Sequence, residues 1–380
     1  MHRPSLPAAQ KTDSARDSDA EPLAVPIHIV KGRGTGSALQ NRYEAWTREP
    51  DVADPQPEDP DFPVARVRTQ VTPTRARSII AGNDSPDIPF DHSLNPYGGC
   101  EHGCIYCYAR PSHAYLGLSP GLDFETRIVA KTNAAELLRI ELGRTSYVCS
   151  PLAIGGNTDP YQPAERELRI TRSLIEVLAE HHHPFTIITK NALVERDIDL
   201  IAPMAARRLA RVYVSVTNWD RELARRLEPR ASAPHRRIEA IRALTEAGIP
   251  TGVLVAPLIP FITDLHMEEI LERAAEAGAI GAAYILLRLP KEVAPLFKEW
   301  LTAHYPLKAA HVMSLVHQMS GGRDYDSRFG ARQTGTGQHA QLIARRFDIA
   351  CRRLGLARRR DELDCTQFRR PGEMPQMALF

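Results

Sequence analysis

The sequence predicts an α/β fold in which six strand–helix units curve into a partial (β/α)6 barrel of the TIM type. Three observations carry that expectation. Short apolar runs alternate strictly with amphipathic stretches from Asp87 to His304, glycines and prolines punctuate them, and a cysteine-bearing glycine loop follows the first run. Strict alternation implies parallel strands joined by right-handed crossovers. Spacing alone does not decide curvature, so a doubly wound sheet is the alternative.

FDHSLN supplies the first strand, and the cysteine loop follows it. NAAELLRIELG reads as a helix, with Thr132 or Asn133 as N-cap and Gly143 at its end. YVCSPLAIGG is the second strand, and ERELRITRSLIEVLAE a helix with apolar residues at helical spacing. FTIITK and ERDIDLIAPMAARRL form the third pair. RVYVSVT is the fourth strand, and its helix PHRRIEAIRALTEAG opens on Pro and stops at Gly248. TGVLVAPLIP with DLHMEEILERAAEAG, then AAYILLRLP with KEVAPLFKEWLTAH, complete the six.

Residues 1–85 read as a polar, Pro-rich leader, largely disordered, because segments such as EPDVADPQPEDPDFP hold too many prolines and acids for a helix or strand. VKGRGTGSALQNRYEAWTRE within it has the means to pack on the body. Residues 86–305 form the core, and 306–380 a C-terminal extension with a helix (HAQLIARRFDIACRRLG) and a basic stretch.

Across 380 residues, 43% are hydrophobic and 25% charged, as in a soluble globular protein. A net charge of +2 restricts any nucleic-acid surface to a local patch. No apolar run approaches the roughly 18 residues of a membrane span. The opening residues lack the apolar segment of a secretory signal, so a cytoplasmic location is expected. Three of the six cysteines fall within eight positions, which fits a metal or cluster site better than a disulfide framework.

Those three are Cys100, Cys104 and Cys107, a C-x3-C-x2-C spacing on a loop containing Gly98, Gly99 and Gly103. Three thiolates can hold three irons of a cubane and leave the fourth open to substrate. The competing reading is zinc, completed by His102 or His113. Zinc sites usually carry two separated C-x2-C pairs, and only one pair exists here.

The loop YGGCEHGCIYCYARPSH resembles the C-x3-C-x-aromatic-C motif of radical S-adenosylmethionine (SAM) enzymes, with Tyr106 at the aromatic position. The resemblance implies a partial barrel of the radical SAM kind and a [4Fe-4S] cluster on Cys100, Cys104 and Cys107. It also implies SAM chelated at the open iron, an electron donor such as flavodoxin or ferredoxin, and a 5′-deoxyadenosyl radical. Where the family has Gly-Gly-Glu, this chain has Gly155-Gly156-Asn157-Thr158-Asp159. The two glycine carbonyls and Asp159 are expected at the SAM ammonium, with a plain βα turn as the alternative. Lys190, ending the third strand, and Ser215, in the fourth, are expected at the SAM carboxylate or ribose. A solvated strand end is the alternative for Lys190. Tyr106 is expected against the adenine.

Further stretches resemble the spore photoproduct lyase and DNA-repair-photolyase-like branch over about residues 80–305: TDPYQPAE, IITKNALVERDIDLI, VSVT, LEPRASAPHRRIEAI and APLIPFITD. The leader and GGRDYDSRFGARQTGTG resemble a bacterial subgroup of it. Such lyases act on a thymine lesion and carry a hydrogen-donor cysteine near the end of the second strand. Here Cys149 lies at that strand's start, where a core thiol is expected, and Tyr108 is the candidate donor. DNA-lesion repair, radical modification of RNA, a protein or a small molecule, and a non-catalytic iron–sulfur module all stay open.

Nucleic acid is favoured by the branch and by Arg352, Arg353, Arg358, Arg359, Arg360, Arg369 and Arg370, with Phe368 available to stack. A solvated tail is the alternative. Glu228 and Arg230 are expected to pair at the surface or to reach substrate. His181, His182 and His183 are expected to be a solvated helix end.

Overall fold

The computed structural model describes residues 30–44, 67–357 and 362–371. The opening tail, the EPDVADPQPEDPDFP stretch and Arg358, Arg359 and Arg360 lie outside the described residues.

The strands are β1 (Gln70–Thr74), β2 (Ile80–Gly82), β3 (His92–Leu94), β4 (Tyr97–Gly98), β5 (Arg127–Lys131), β6 (Leu152–Ile154), β7 (Phe185–Thr189), β8 (Ala210–Ser215), β9 (Thr251–Leu258) and β10 (Gly281–Leu286). The main sheet runs β10-β9-β8-β7-β6-β3-β2, and a small one runs β1-β5-β4. β3 and β6 to β10 are the six expected strands, and every pair among them is parallel. Apolar side chains such as Ile154, Ile187, Val212, Val214 and Val253 are fully buried, as a sheet covered by crossover helices requires.

The stretch at 165–180 is two helices, Glu165–Leu168 and Ile170–Glu180, broken at Arg169 with φ 51°. Helical periodicity is overridden there by a buried carboxylate. Glu165 accepts from the N–H groups of Thr171 (3.0 Å) and Arg172 (3.3 Å), capping the second helix, and from the Tyr97 phenol. Beyond the sixth barrel helix, Val293–His304, Pro306 starts another, Pro306–Met319, and the expected late helix spans Gly337–Leu354.

Parts of the expected leader belong to the body. β1 pairs in parallel with β5, and Arg33, Thr35 and Asn41 are buried. The cause is a buried acid, Glu125, that draws the segment in: Gly34 N and Thr35 N donate to it at 2.8 and 3.2 Å.

The main sheet stays open, with no ladder between β10 and β3. Residues 320–336 bridge the gap. Leu286 N donates to Gln333 O (2.8 Å), and Gly330 N and Arg332 Nε donate to Asp87 (2.7 and 2.6 Å). At the C-terminal rim the Arg288 guanidinium, beyond β10, lies 5.0 Å from the ring of Tyr108, beyond β3. The two ends of the sheet therefore meet, which is the curvature of a partial barrel and not of a flat doubly wound sheet.

Candidate active site

The cysteine loop leaves β4 at the C-terminal rim and is held by groups on every side. Cys100 N donates to Phe124 O (2.8 Å), Ile105 N to Leu227 O (3.1 Å) and Cys107 N to Cys104 O (3.2 Å). Under it lies a fully buried ion pair, Arg110 with Glu125. Arg110 also donates to the carbonyls of Cys104 (3.0 Å), Gly103 (3.3 Å) and Gly121 (2.9 Å), so one guanidinium fixes the loop's shape. Gly103 has φ 66°, and a Cβ there would sit 2.5 Å from Glu125 Oε2, so only glycine fits.

The TDPYQPAE segment holds the loop from the next strand. Gln162 accepts from Glu101 N (3.0 Å) and donates to Gly99 O (3.2 Å), and Glu101 accepts from Ala164 N (2.7 Å). Asp159 is the hub. Its carboxylate accepts from Thr189 Oγ1, Lys190 N and Tyr161 N, and lies 3.4 Å from His102 Nδ1. Burial alone would raise its pKa, yet His102 and these donors hold it below the ordinary carboxylate range. Asp159 is thus committed to binding the cysteine loop to β7. Gly155, at φ 96°, brings the chain so close to Ile188 O that a Cβ would lie 2.3 Å from it. The carbonyl of Gly156 accepts from the Tyr108 phenol.

Lys190 and Ser215 meet at the C-terminal ends of β7 and β8. Lys190 Nζ donates to Ser215 Oγ (2.5 Å) and Ala256 O (3.2 Å), and lies 3.6 Å from Glu228 and 5.8 Å from the Tyr106 ring centre. Lys190 is therefore no solvated strand end. Tyr106 is a buried wall residue whose phenol contacts Thr217 Oγ1 (3.2 Å) and Glu228. Glu228 does not pair with Arg230 at the surface. Burial works against its charge, but Arg237 and Lys190 overcome that and hold its pKa down at about 2. Arg230 instead pairs with Glu101 at 3.1 Å.

Cys107 packs against the buried clusters that hold Cys104 and Cys100. Burial pushes each of the three thiols up, and Cys104 and Cys107 add to the effect at Cys100. Thiols in such a setting need the positive charge of bound iron to become thiolates, so the donor set fits a cluster. Among the described residues no three His, Cys, Asp or Glu side chains are grouped so as to hold a metal ion. His113 instead bonds Arg127 O (3.0 Å) and packs edge-on against Phe124.

Sequence reasoning missed Asn218, buried after β8 with neither its side-chain oxygen nor its nitrogen paired among the described residues. An orphaned amide beside Thr217 offers the donor and acceptor that a ribose or carboxylate needs. Position after a barrel strand was the one available signal.

Three of the described C-terminal arginines have contacts away from the cysteine loop. Arg353 pairs with Glu272, Arg369 N donates to His181 O (2.9 Å) and Arg370 to Arg144 O (2.7 Å), at the opposite end of the sheet. Phe368 packs on Tyr147 and His183, so it is not free to stack on a base. His183 is buried, not solvated: Tyr147 Oη lies 2.7 Å from its Nε2, and Cys149 Sγ lies 3.6 Å from the same atom. Cys149 thus lies at the base of the barrel, away from the cluster loop.

The Radical SAM superfamily profile matches residues 94–274. The chain is 41% identical over 221 residues to the uncharacterised protein Rv2578c of Mycobacterium tuberculosis, covering 58% of this chain and 65% of that protein. It is 26% identical over 213 residues to MJ0683 of Methanocaldococcus jannaschii, covering 56% and 76%. The match therefore spans just under two thirds of the mycobacterial relative's length. Among solved structures, a spore photoproduct lyase variant with bound AdoMet and dinucleoside spore photoproduct aligns with TM-score 0.54 and 17% identity. That alignment covers 75% of this chain and 80% of the lyase. The lyase complexed with dinucleoside spore photoproduct aligns with TM-score 0.53 over the same shares. Taken with the open parallel sheet and the cysteine loop at its rim, these matches identify residues 94–274 as a radical SAM superfamily domain.

Proposed function

We propose that this chain is a radical SAM enzyme that holds a [4Fe-4S] cluster on Cys100, Cys104 and Cys107 and acts on nucleic acid. When bound, the cluster and SAM supply a 5′-deoxyadenosyl radical by one-electron reductive cleavage. The observation that carries the reading is Lys190 Nζ, 2.5 Å from Ser215 Oγ and 5.8 Å from the ring of Tyr106 in the three-cysteine loop, at one rim of the sheet.

Lys190 would take the SAM carboxylate, steadied by Ser215, while Glu228 and Arg237 keep the local charge balanced. Asn218 would serve the ribose or carboxylate. The carbonyls of Gly155 and Gly156 remain candidates for the ammonium, with Asp159 acting through the backbone it fixes. Tyr108, next to Cys107, is the candidate hydrogen donor. A one-electron donor such as flavodoxin or ferredoxin, in the cytoplasm, would supply the electron. Among the described residues no helix is long and apolar enough to cross a membrane.

The dinucleoside photoproduct bound by the solved lyases supports a nucleic-acid substrate. A second reading, modification of RNA, a protein or a small molecule, is favoured by the position of Cys149 at the far end of β6 from the cysteine loop. Ultraviolet-irradiated thymine oligonucleotides, added to the reduced holoprotein, are expected to raise 5′-deoxyadenosine output above the undamaged control. Equal output from both would remove lesion repair and leave the second reading.

A further inference from the structure

Arg288 has no carboxylate partner among the described residues. It follows β10, on the strand farthest from β3 in the sheet, yet its guanidinium lies against the ring of Tyr108, the residue next to Cys107. On its other side the Tyr325 ring is 5.8 Å away, and Nη2 donates to the Tyr325 phenol at 3.2 Å. The Nε is buried and has no partner among the described residues. No described carboxylate lies within ion-pair distance. The nearby Asp326 is spent on Arg328, which donates from its backbone N and Nε at 3.0 Å and from Nη2 at 2.6 Å. Asp87 is spent on Gly330 and Arg332.

A half-buried guanidinium with an orphaned N–H is costly unless an anion completes it. Rings on two sides orient its plane, and a planar fork of donors suits an oxyanion. Lys190, Arg237 and Arg110 each have a carboxylate partner, whereas Arg288 has none among the described residues. We infer that Arg288 anchors a phosphate group of the substrate at the open seam of the barrel, beside Tyr108. The inference rests on the proposed catalytic reading for its meaning but not for its measurement. An anchored phosphate would hold the neighbouring part of the substrate over the cysteine loop.

The test is equilibrium binding to the anaerobic, SAM-loaded holoprotein with three probes: a thymidine dinucleotide with its natural phosphodiester, the same dinucleotide with an uncharged methylphosphonate link, and inorganic phosphate. The natural dinucleotide is expected to bind about tenfold more tightly than the uncharged one, the size of a charged hydrogen-bond contribution. Arg288→Gln, with its cluster absorbance intact, is expected to lose that preference, and Arg288→Lys to keep part of it. Arg288-dependent competition by inorganic phosphate alone would assign the anchor to a small phosphorylated molecule. Selective binding of the dinucleotide would assign it to a nucleic-acid backbone. A preference that survives in Arg288→Gln overturns the inference, as does wild-type protein that binds neither charged probe, or a variant that loses only SAM affinity. Failure of SAM cleavage with Arg288-dependent binding intact would instead sink the catalytic reading alone.

Discussion

The phenol of Tyr106 donates to the buried carboxylate of Glu228, so the residue between Cys104 and Cys107 is tied to the loop after β8. Glu228 also accepts from Thr217 Oγ1 (2.6 Å) and pairs with buried Arg237. One carboxylate thus links the cysteine loop, β8 and the helix Pro234–Glu246.

Removing that charge strands Arg237. Glu228→Gln is expected to destabilise the apoprotein by about 3–5 kcal/mol, the usual cost of breaking a buried pair. Tyr106→Phe, which removes one hydrogen bond, should cost about 1 kcal/mol. Urea unfolding of both variants measures the difference, and equal losses would mean that the carboxylate carries no special weight. With its pKa held near 2, Glu228 contributes stability above the ordinary carboxylate range, and that contribution fades as pH falls towards 2.

Lys190→Ala should weaken SAM binding by about tenfold or more while iron content stays full, because a charged hydrogen bond is lost but no iron ligand. Parallel titrations of SAM and of iron read the two effects apart. Loss of iron in step with SAM would make Lys190 a structural prop of the loop.

Glu125 connects the segment at residues 33–35 to Arg110 and through it to the carbonyls of Gly103 and Cys104. Glu125→Gln is expected to shorten the lifetime of the cluster in air severalfold, followed by bleaching of its visible absorbance. An unchanged lifetime would limit this pair to folding.

Two histidines set an acid limit. Burial lowers His113 and His183 to about 4, below the roughly 6.5 of an unfolded chain. The unfolded state therefore takes up protons first, so stability is full above about pH 6.5 and declines towards pH 4, by up to about 3 kcal/mol per histidine. Unfolding free energies between pH 7.5 and 5 measure the slope. His183→Gln should flatten it, and an unchanged slope would mean that His183 is not held neutral.

The six barrel strands and the loop that carries three cysteines were legible because their signals are local: apolar runs bounded by turns, and three cysteines within eight positions. The positions of Lys190 and Ser215 at the C-terminal side of their strands were legible as well. Contacts between distant segments were not. Periodicity could not foretell that Glu165 would cap a helix and break the stretch at Arg169, or that Glu125 would draw Gly34 into the body. Glu228 was read with its neighbour Arg230, whereas folding gives it Arg237 and Lys190. Composition likewise does not reveal that Arg370 serves Arg144 O and that Arg353 pairs with Glu272.

Anaerobic reconstitution followed by dithionite reduction in the presence of SAM tests the central claim most directly. The wild-type chain is expected to hold close to four irons and four sulfides and to release 5′-deoxyadenosine and methionine. Cys100→Ala, Cys104→Ala and Cys107→Ala should do neither, while Cys149→Ala and Cys365→Ala, at the barrel's base, should do both. Protein purified anaerobically with zinc and no iron, or a full cluster that neither binds nor cleaves SAM, would contradict the account.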